Sequence, residues 1–97
     1  MSLVEAPPPV INPTAEDAYW RAAFKDEPYY QAHMSYDDYS PAYRVGYTGP
    51  LRREGSFEQL EEALHEDWER VKGRSRLCWE DARVATRAAW ERVAGWL

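Results

Sequence analysis

Apolar residues recur at helical spacing most clearly from Phe57 onward. Phe57, Leu60, Leu64, Trp68 and Val71 make a stripe of about four turns, while Glu58, Glu61, Glu62, Glu66 and Glu69 fill the opposite face. Ser56 and Gln59 have the spacing of a capping box, and Gly73 is the natural stop. A second stripe of Trp79, Ala82, Thr86, Ala89, Val93 and Trp96, widened by Trp90, predicts a helix from Trp79 to Gly95. Cys78 falls at its N-cap, and Glu80 and Asp81 occupy the first turn, where the helix dipole favours negative charge. Arg83, Arg87 and Glu91 lie on its outer side, with Arg87 and Glu91 an i, i+4 pair of opposite charge.

The first half of the chain is less regular. Thr14 reads as an N-cap, followed by Glu16 and Asp17. Ala15, Ala18, Tyr19, Ala22 and Ala23 recur at helical spacing, and Trp20 and Phe24 form an i, i+4 pair on an adjoining face. Pro28 ends this helix. Ser35 and Asp38 suggest a capped turn over Tyr36–Tyr39. Ser40-Pro41 then restarts a helix towards Tyr47, which Gly46 weakens and Gly49-Pro50 ends. Pro7, Pro8, Pro9 and Pro13 favour extended backbone in residues 1–13. A flexible arm is the expectation there, with docking of Val10 and Ile11 on a neighbour as the rival. No alternating β-branched run occurs. The fold class is therefore all-α: a small bundle of three to four helices over residues 14–97, behind a Pro-rich extended N-terminal tail.

Composition sharpens this picture at one point. All seven Tyr fall between Tyr19 and Tyr47, and four of the five Trp lie from Trp68 onward. Branched aliphatic residues are few, so rings and Ala must supply the core. The Trp residues sit on the two clear stripes. The tyrosines sit on short, proline-punctuated segments, where core and interface are both open readings.

The net charge of −5 argues against general nucleic-acid binding, which needs a basic surface. Arg70, Lys72, Arg74 and Arg76 are a local exception. Their plain reading is completion of a helix C-terminus; an anion site, or nucleic-acid contact with Trp stacking, is the sharper one. A single cysteine, Cys78, allows no intrachain disulfide. The N-terminus lacks the basic and apolar regions of a signal peptide, and no segment has the length of a membrane span. A cytoplasmic protein is the expectation.

Candidate chemistry is sparse. Cys78, His33 and His65 fit no metal or nucleophile spacing, so no metal or cofactor is expected and no catalytic residue is assigned. Asp37 and Asp38 could act as an acid–base pair, although adjacent Asp residues at a helix start more simply cap it. The binding candidates are Tyr29, Tyr30, Tyr36, Tyr39, Tyr43, Arg44 and Tyr47: flat rings with hydroxyls, beside a guanidinium able to stack or bind an anion.

Three stretches carry a resemblance. Glu16-Asp17-Ala18-Tyr19-Trp20-Arg21, Tyr36-Asp37-Asp38-Tyr39-Ser40-Pro41-Ala42-Tyr43-Arg44 and Ser75-Arg76-Leu77-Cys78-Trp79-Glu80-Asp81-Ala82-Arg83 resemble a group of small bacterial proteins of uncharacterised function. These share E-D-x-Y-W-R, Y-D-x-Y-x-P-A-Y-R and S-R-L-x-W-E-x-A-R stretches. The resemblance implies a loose association with bacterial stress responses and no reaction. It also implies that Cys78 stands where a Ser cap is usual.

Two functional expectations follow. One is a non-enzymatic protein-interaction module that binds a protein partner, or a second copy of itself as a homo-oligomer such as a dimer, through its rings. The alternative is a ligand-binding or enzymatic domain whose pocket is lined by Tyr36, Tyr39, Tyr43 and Arg44, with Asp37 or Asp38 as acid–base groups.

Overall fold

A computed structural model describes residues 11–96. These residues form four α-helices: α1 (Pro13–Ala23), α2 (Tyr36–Arg52), α3 (Phe57–Val71) and α4 (Trp79–Ala94). A 3-10 turn, Phe24–Asp26, extends α1. No strand occurs among the described residues. The architecture is thus all-α, as the stripes predicted.

Helix α2 is central. It packs most extensively on α4 and also contacts α1 and α3. The α2–α4 seam is built from small residues. Ala42, Ala82, Ala85, Thr86 and Ala89 are fully buried there. A Cβ at Gly46 would lie 2.2 Å from the Thr86 carbonyl oxygen, so the two backbones touch where Gly46 has no side chain. The Thr86 hydroxyl reaches across the seam and donates to the Ala42 carbonyl at 3.0 Å.

The well-marked helices match their patterns. Ser56 and Gln59 bond reciprocally, the Gln59 N–H to Ser56 Oγ at 3.1 Å and the Ser56 N–H to Gln59 Oε1 at 2.8 Å. Gly73, just past α3, takes the left-handed φ of 53° that its position predicts. Phe57, Leu64 and Trp68 are buried on α3, and Ala82, Thr86, Ala89, Trp90 and Val93 on α4. The stripe ends are looser, with Val71 and Trp96 exposed. Two ion pairs bridge α3 and α4, Arg83 with Glu61 and Arg87 with Glu58, while Arg87 also pairs with Glu91 within α4.

The first half departs from the pattern in three places. Asn12, not Thr14, caps α1: its carboxamide oxygen accepts from the Thr14 N–H at 2.9 Å and the Ala15 N–H at 3.2 Å. Pro13 then takes the first helical position, where a missing N–H costs nothing. Ile11 is buried, so the folded unit begins before residue 14. The expected tail over residues 1–10 lies outside the described residues.

The second departure is in α2, which runs unbroken through Pro41, Gly46, Gly49 and Pro50 to Arg52. Pro41 sits one turn in, and the carbonyl it deprives of an intrahelical partner belongs to exposed Asp37 at the open end of the helix. Burial of Tyr36, Tyr39, Tyr43, Val45 and Tyr47 along one continuous helix outweighs the local breaker signals.

The third departure is the facing of α1. Its buried side is Glu16, Trp20 and, in the following turn, Phe24. Ala15, Ala18, Tyr19 and Ala22 are exposed. Glu16 is tolerated inside because Arg92 of α4 donates to its carboxylate at 3.0 Å.

Candidate functional site

The tyrosine cluster is brought together, and mostly inside. Tyr39, Tyr43 and Tyr47 are 1%, 0% and 2% exposed, Tyr36 is buried, and Tyr29 and Tyr30 are half-buried. Trp20 of α1 stacks on Tyr43 at 4.4 Å between ring centroids. Phe24 meets Tyr36 at 5.2 Å and Tyr30 at 5.4 Å, both edge-on. The rings therefore join α1, the α1–α2 connection and α2 into one aromatic core.

The hydroxyls are spent on structure as well. Tyr36 donates to an Asp17 carboxylate oxygen at 2.8 Å. Tyr39 accepts from the Gln31 N–H at 3.0 Å. The Tyr29 and Tyr43 hydroxyls share a bond of 2.6 Å, and Tyr29 also approaches Glu27 at 3.4 Å. Burial is the main cause that raises the phenol pKa of Tyr29, Tyr36, Tyr39, Tyr43 and Tyr47 above the ordinary value. At Tyr29 the bond to Tyr43 adds to it, and at Tyr36 the bond to Asp17 does.

Asp37 and Asp38 are separated by the helix turn. Asp37 is exposed, whereas Asp38 is 4% exposed and fully engaged. Its carboxylate accepts from the Ser35 N–H at 2.9 Å, the Arg76 N–H at 2.9 Å and the Arg76 guanidinium at 2.6 Å. The bonds from Arg76 are the chief reason that its carboxyl lies well below the usual carboxylate range. The capping role expected of Asp38 is present, joined to a long-range clamp. Arg76 also donates to the His33 carbonyl at 2.8 Å, and the Ser75 hydroxyl to the Asp38 carbonyl at 2.6 Å. The α3–α4 connection is thereby pinned to the start of α2.

The remaining basic run resolves into separate contacts. Arg70 pairs with Asp67 and Lys72 with Glu69, the latter at 3.0 Å, near the end of α3 as expected. Trp68 is buried, and Trp79 is half-buried with its ring stacked on His65 at 4.7 Å. Cys78 is an exposed N-cap whose side chain makes no capping bond. No three His, Cys, Asp or Glu side chains gather as metal ligands among the described residues.

Two surface features went unpredicted. The first is the outward face of α1, where Tyr19 is 42% exposed beside Ala15, Ala18 and Ala22. The Arg92 guanidinium lies 3.5 Å from the Tyr19 ring centroid and 5.2 Å from that of Trp96, itself 38% exposed. The Ala spacing was visible in the sequence; its direction was not. The second is a cleft of about 350 Å³ between α2 and α3, with Arg44 on its wall. Arg44, Thr48 and Arg52 line one side at i, i+4, i+8. That spacing has meaning only on an unbroken helix, and the expected stop at Gly49-Pro50 concealed it.

No helix among the described residues is long and apolar enough to cross a membrane. No family model, curated protein or solved structure matches the chain.

Proposed function

We propose that this chain is a non-enzymatic protein-interaction module, and that its docking face is the outer side of α1 with Tyr19, Arg92 and Trp96. The carrying observation is an apolar helix face left open to water: Ala15, Ala18, Tyr19 and Ala22 are exposed while Glu16 is buried behind them. The occupant we assign is a second copy of the chain. Small side chains permit close approach of two helices, and an antiparallel α1 pair sets Ala15 of one copy near Ala22 of the other.

Local charge does not oppose this choice. A chain of net charge −5 repels its own copy. The charge bordering this face is already paired, Arg92 with Glu16 at 3.0 Å. Self-association there brings no uncompensated like charges together.

The test is sedimentation velocity over a concentration series. The chain is expected to show twice its monomer mass, and Ala18→Glu, at an exposed helical position, to be monomeric with unchanged circular dichroism. A wild type that stays monomeric throughout, or an Ala18→Glu chain that still dimerises, overturns the assignment.

A further inference from the structure

The cleft between α2 and α3 concentrates positive charge on an acidic protein. Arg44, Arg52 and Arg70 line it around apolar Val45 and Val71. Arg44 and Arg52 stand eight residues apart, about 12 Å along the helix at the usual rise. Neither is in an ion pair with a carboxylate among the described residues. Both are exposed. Arg44 adjoins the Tyr47 hydroxyl and, on its other side, lines a second cleft with Asp17, whose carboxylate is engaged by Tyr36 and Arg21.

One carboxylate, Asp67, also lines the cleft, and its charge is already met. Arg53 donates to both of its oxygens, at 3.1 Å to Oδ1 and at 3.2 and 3.3 Å to Oδ2, and Arg70 pairs with it from the next turn. Arg53 itself stands outside the lining. What the cleft offers is therefore two unpaired guanidiniums, Arg44 and Arg52, beside an aspartate whose charge Arg53 and Arg70 already meet. The Thr48 hydroxyl is turned to its own helix, donating to the Arg44 carbonyl at 2.6 Å, so the donors left for a ligand are the guanidiniums.

We propose that this cleft binds a small organic oxyanion: a phosphate or carboxylate group held by Arg44 and Arg52, carried on an apolar body that rests on Val45 and Val71. Guanidinium forks match both head groups with paired hydrogen bonds. The cleft volume lies at the lower end of the range for small-molecule sites, which fits one ring-sized body. The site uses α2 and α3 alone and is independent of the α1 face.

The experiment follows backbone amide shifts of the full chain at low salt as phenyl phosphate, phenylacetate or inorganic phosphate is added. Shifts from phenyl phosphate or phenylacetate are expected to map to residues 44–52 and 67–71. The tighter of these two identifies the head group. Arg44→Gln and Arg52→Gln should each weaken that binding about tenfold, while Lys25→Gln, an exposed cation elsewhere, should leave it unchanged. The proposal is overturned if shifts map outside the cleft, if the two cleft variants bind like wild type, or if Lys25→Gln weakens binding equally. Inorganic phosphate binding as tightly as phenyl phosphate would overturn the apolar contribution.

Discussion

The Asp38 carboxylate accepts bonds from Ser35 at the start of its own helix and from Arg76, 38 residues along the chain. Sequence spacing revealed the first contact, because a capping pair is local. It could not reveal the second, because nothing local distinguishes Arg76 from Arg74. Replacing Asp38 by Ala removes the cap and leaves the Ser35 and Arg76 N–H groups without their acceptor. A loss of about 2 kcal/mol is expected from the cap and hydrogen bonds together. The pH dependence has a defined sign. A carboxyl held below its ordinary value in the folded state contributes stability above the unfolded pKa, near 4, and loses it as pH falls towards the folded value. Urea midpoints of wild type and Asp38→Ala should therefore differ most near neutrality and draw together as pH falls from about 5 to 3, with part of the gap still present at pH 3. A gap that stays constant over that range would show that the ionised form of Asp38 contributes nothing.

Helix α2 shows at the element scale why local punctuation misled. Pro and Gly signals describe what a segment prefers alone, and α2 is not alone: it contacts all three other helices. Gly46, read from sequence as a weakness, is what lets α2 and α4 meet. Alanine has the better helix propensity by about 1 kcal/mol, yet its methyl at position 46 would sit 2.2 Å from the Thr86 carbonyl oxygen and 2.8 Å from the Ala89 Cβ. Backbone cannot yield as a flexible side chain does, so steric cost wins. Gly46→Ala should destabilise by about 1–3 kcal/mol, seen as a lower Tm. Gly95 supplies the contrast. Its φ is −68° and a Cβ there would meet nothing within 4 Å. Gly95→Ala should leave Tm unchanged or raise it by the equivalent of about 0.5 kcal/mol. In α1 the same limit operated on direction. Ala15, Ala18 and Ala22 gave the helical period correctly, but a period does not say which side faces in, and Arg92 decided that by burying Glu16.

For the whole molecule, the number of helices and the core roles of Trp68 and Trp90 were legible because strong stripes come from burial itself. The place of the tyrosines was not, because a phenol suits a core or an interface equally until its hydroxyl partner is known. Those partners come from distant positions: Asp17 for Tyr36 and Gln31 for Tyr39. The aromatic core then makes a prediction about the entire fold. Burial raises the pKa of Tyr29, Tyr36, Tyr39, Tyr43 and Tyr47. A group whose folded pKa is raised contributes stability that is fully present below the unfolded value, about 10 for a phenol, and loses it as pH rises towards the folded value. Five such groups in one core act together, because ionising any of them places a charge among stacked rings. Between about pH 10 and 12, circular dichroism should fall cooperatively. Most of the tyrosinate absorbance should rise in that same step, with unfolding and ionisation sharing one midpoint. Tyr36→Phe removes a raised phenol while keeping the ring, and should shift this alkaline midpoint upward relative to its own stability at neutral pH. Smooth tyrosine titration with the helices intact would show that these hydroxyls are open to water, and that the ring cluster is a surface after all.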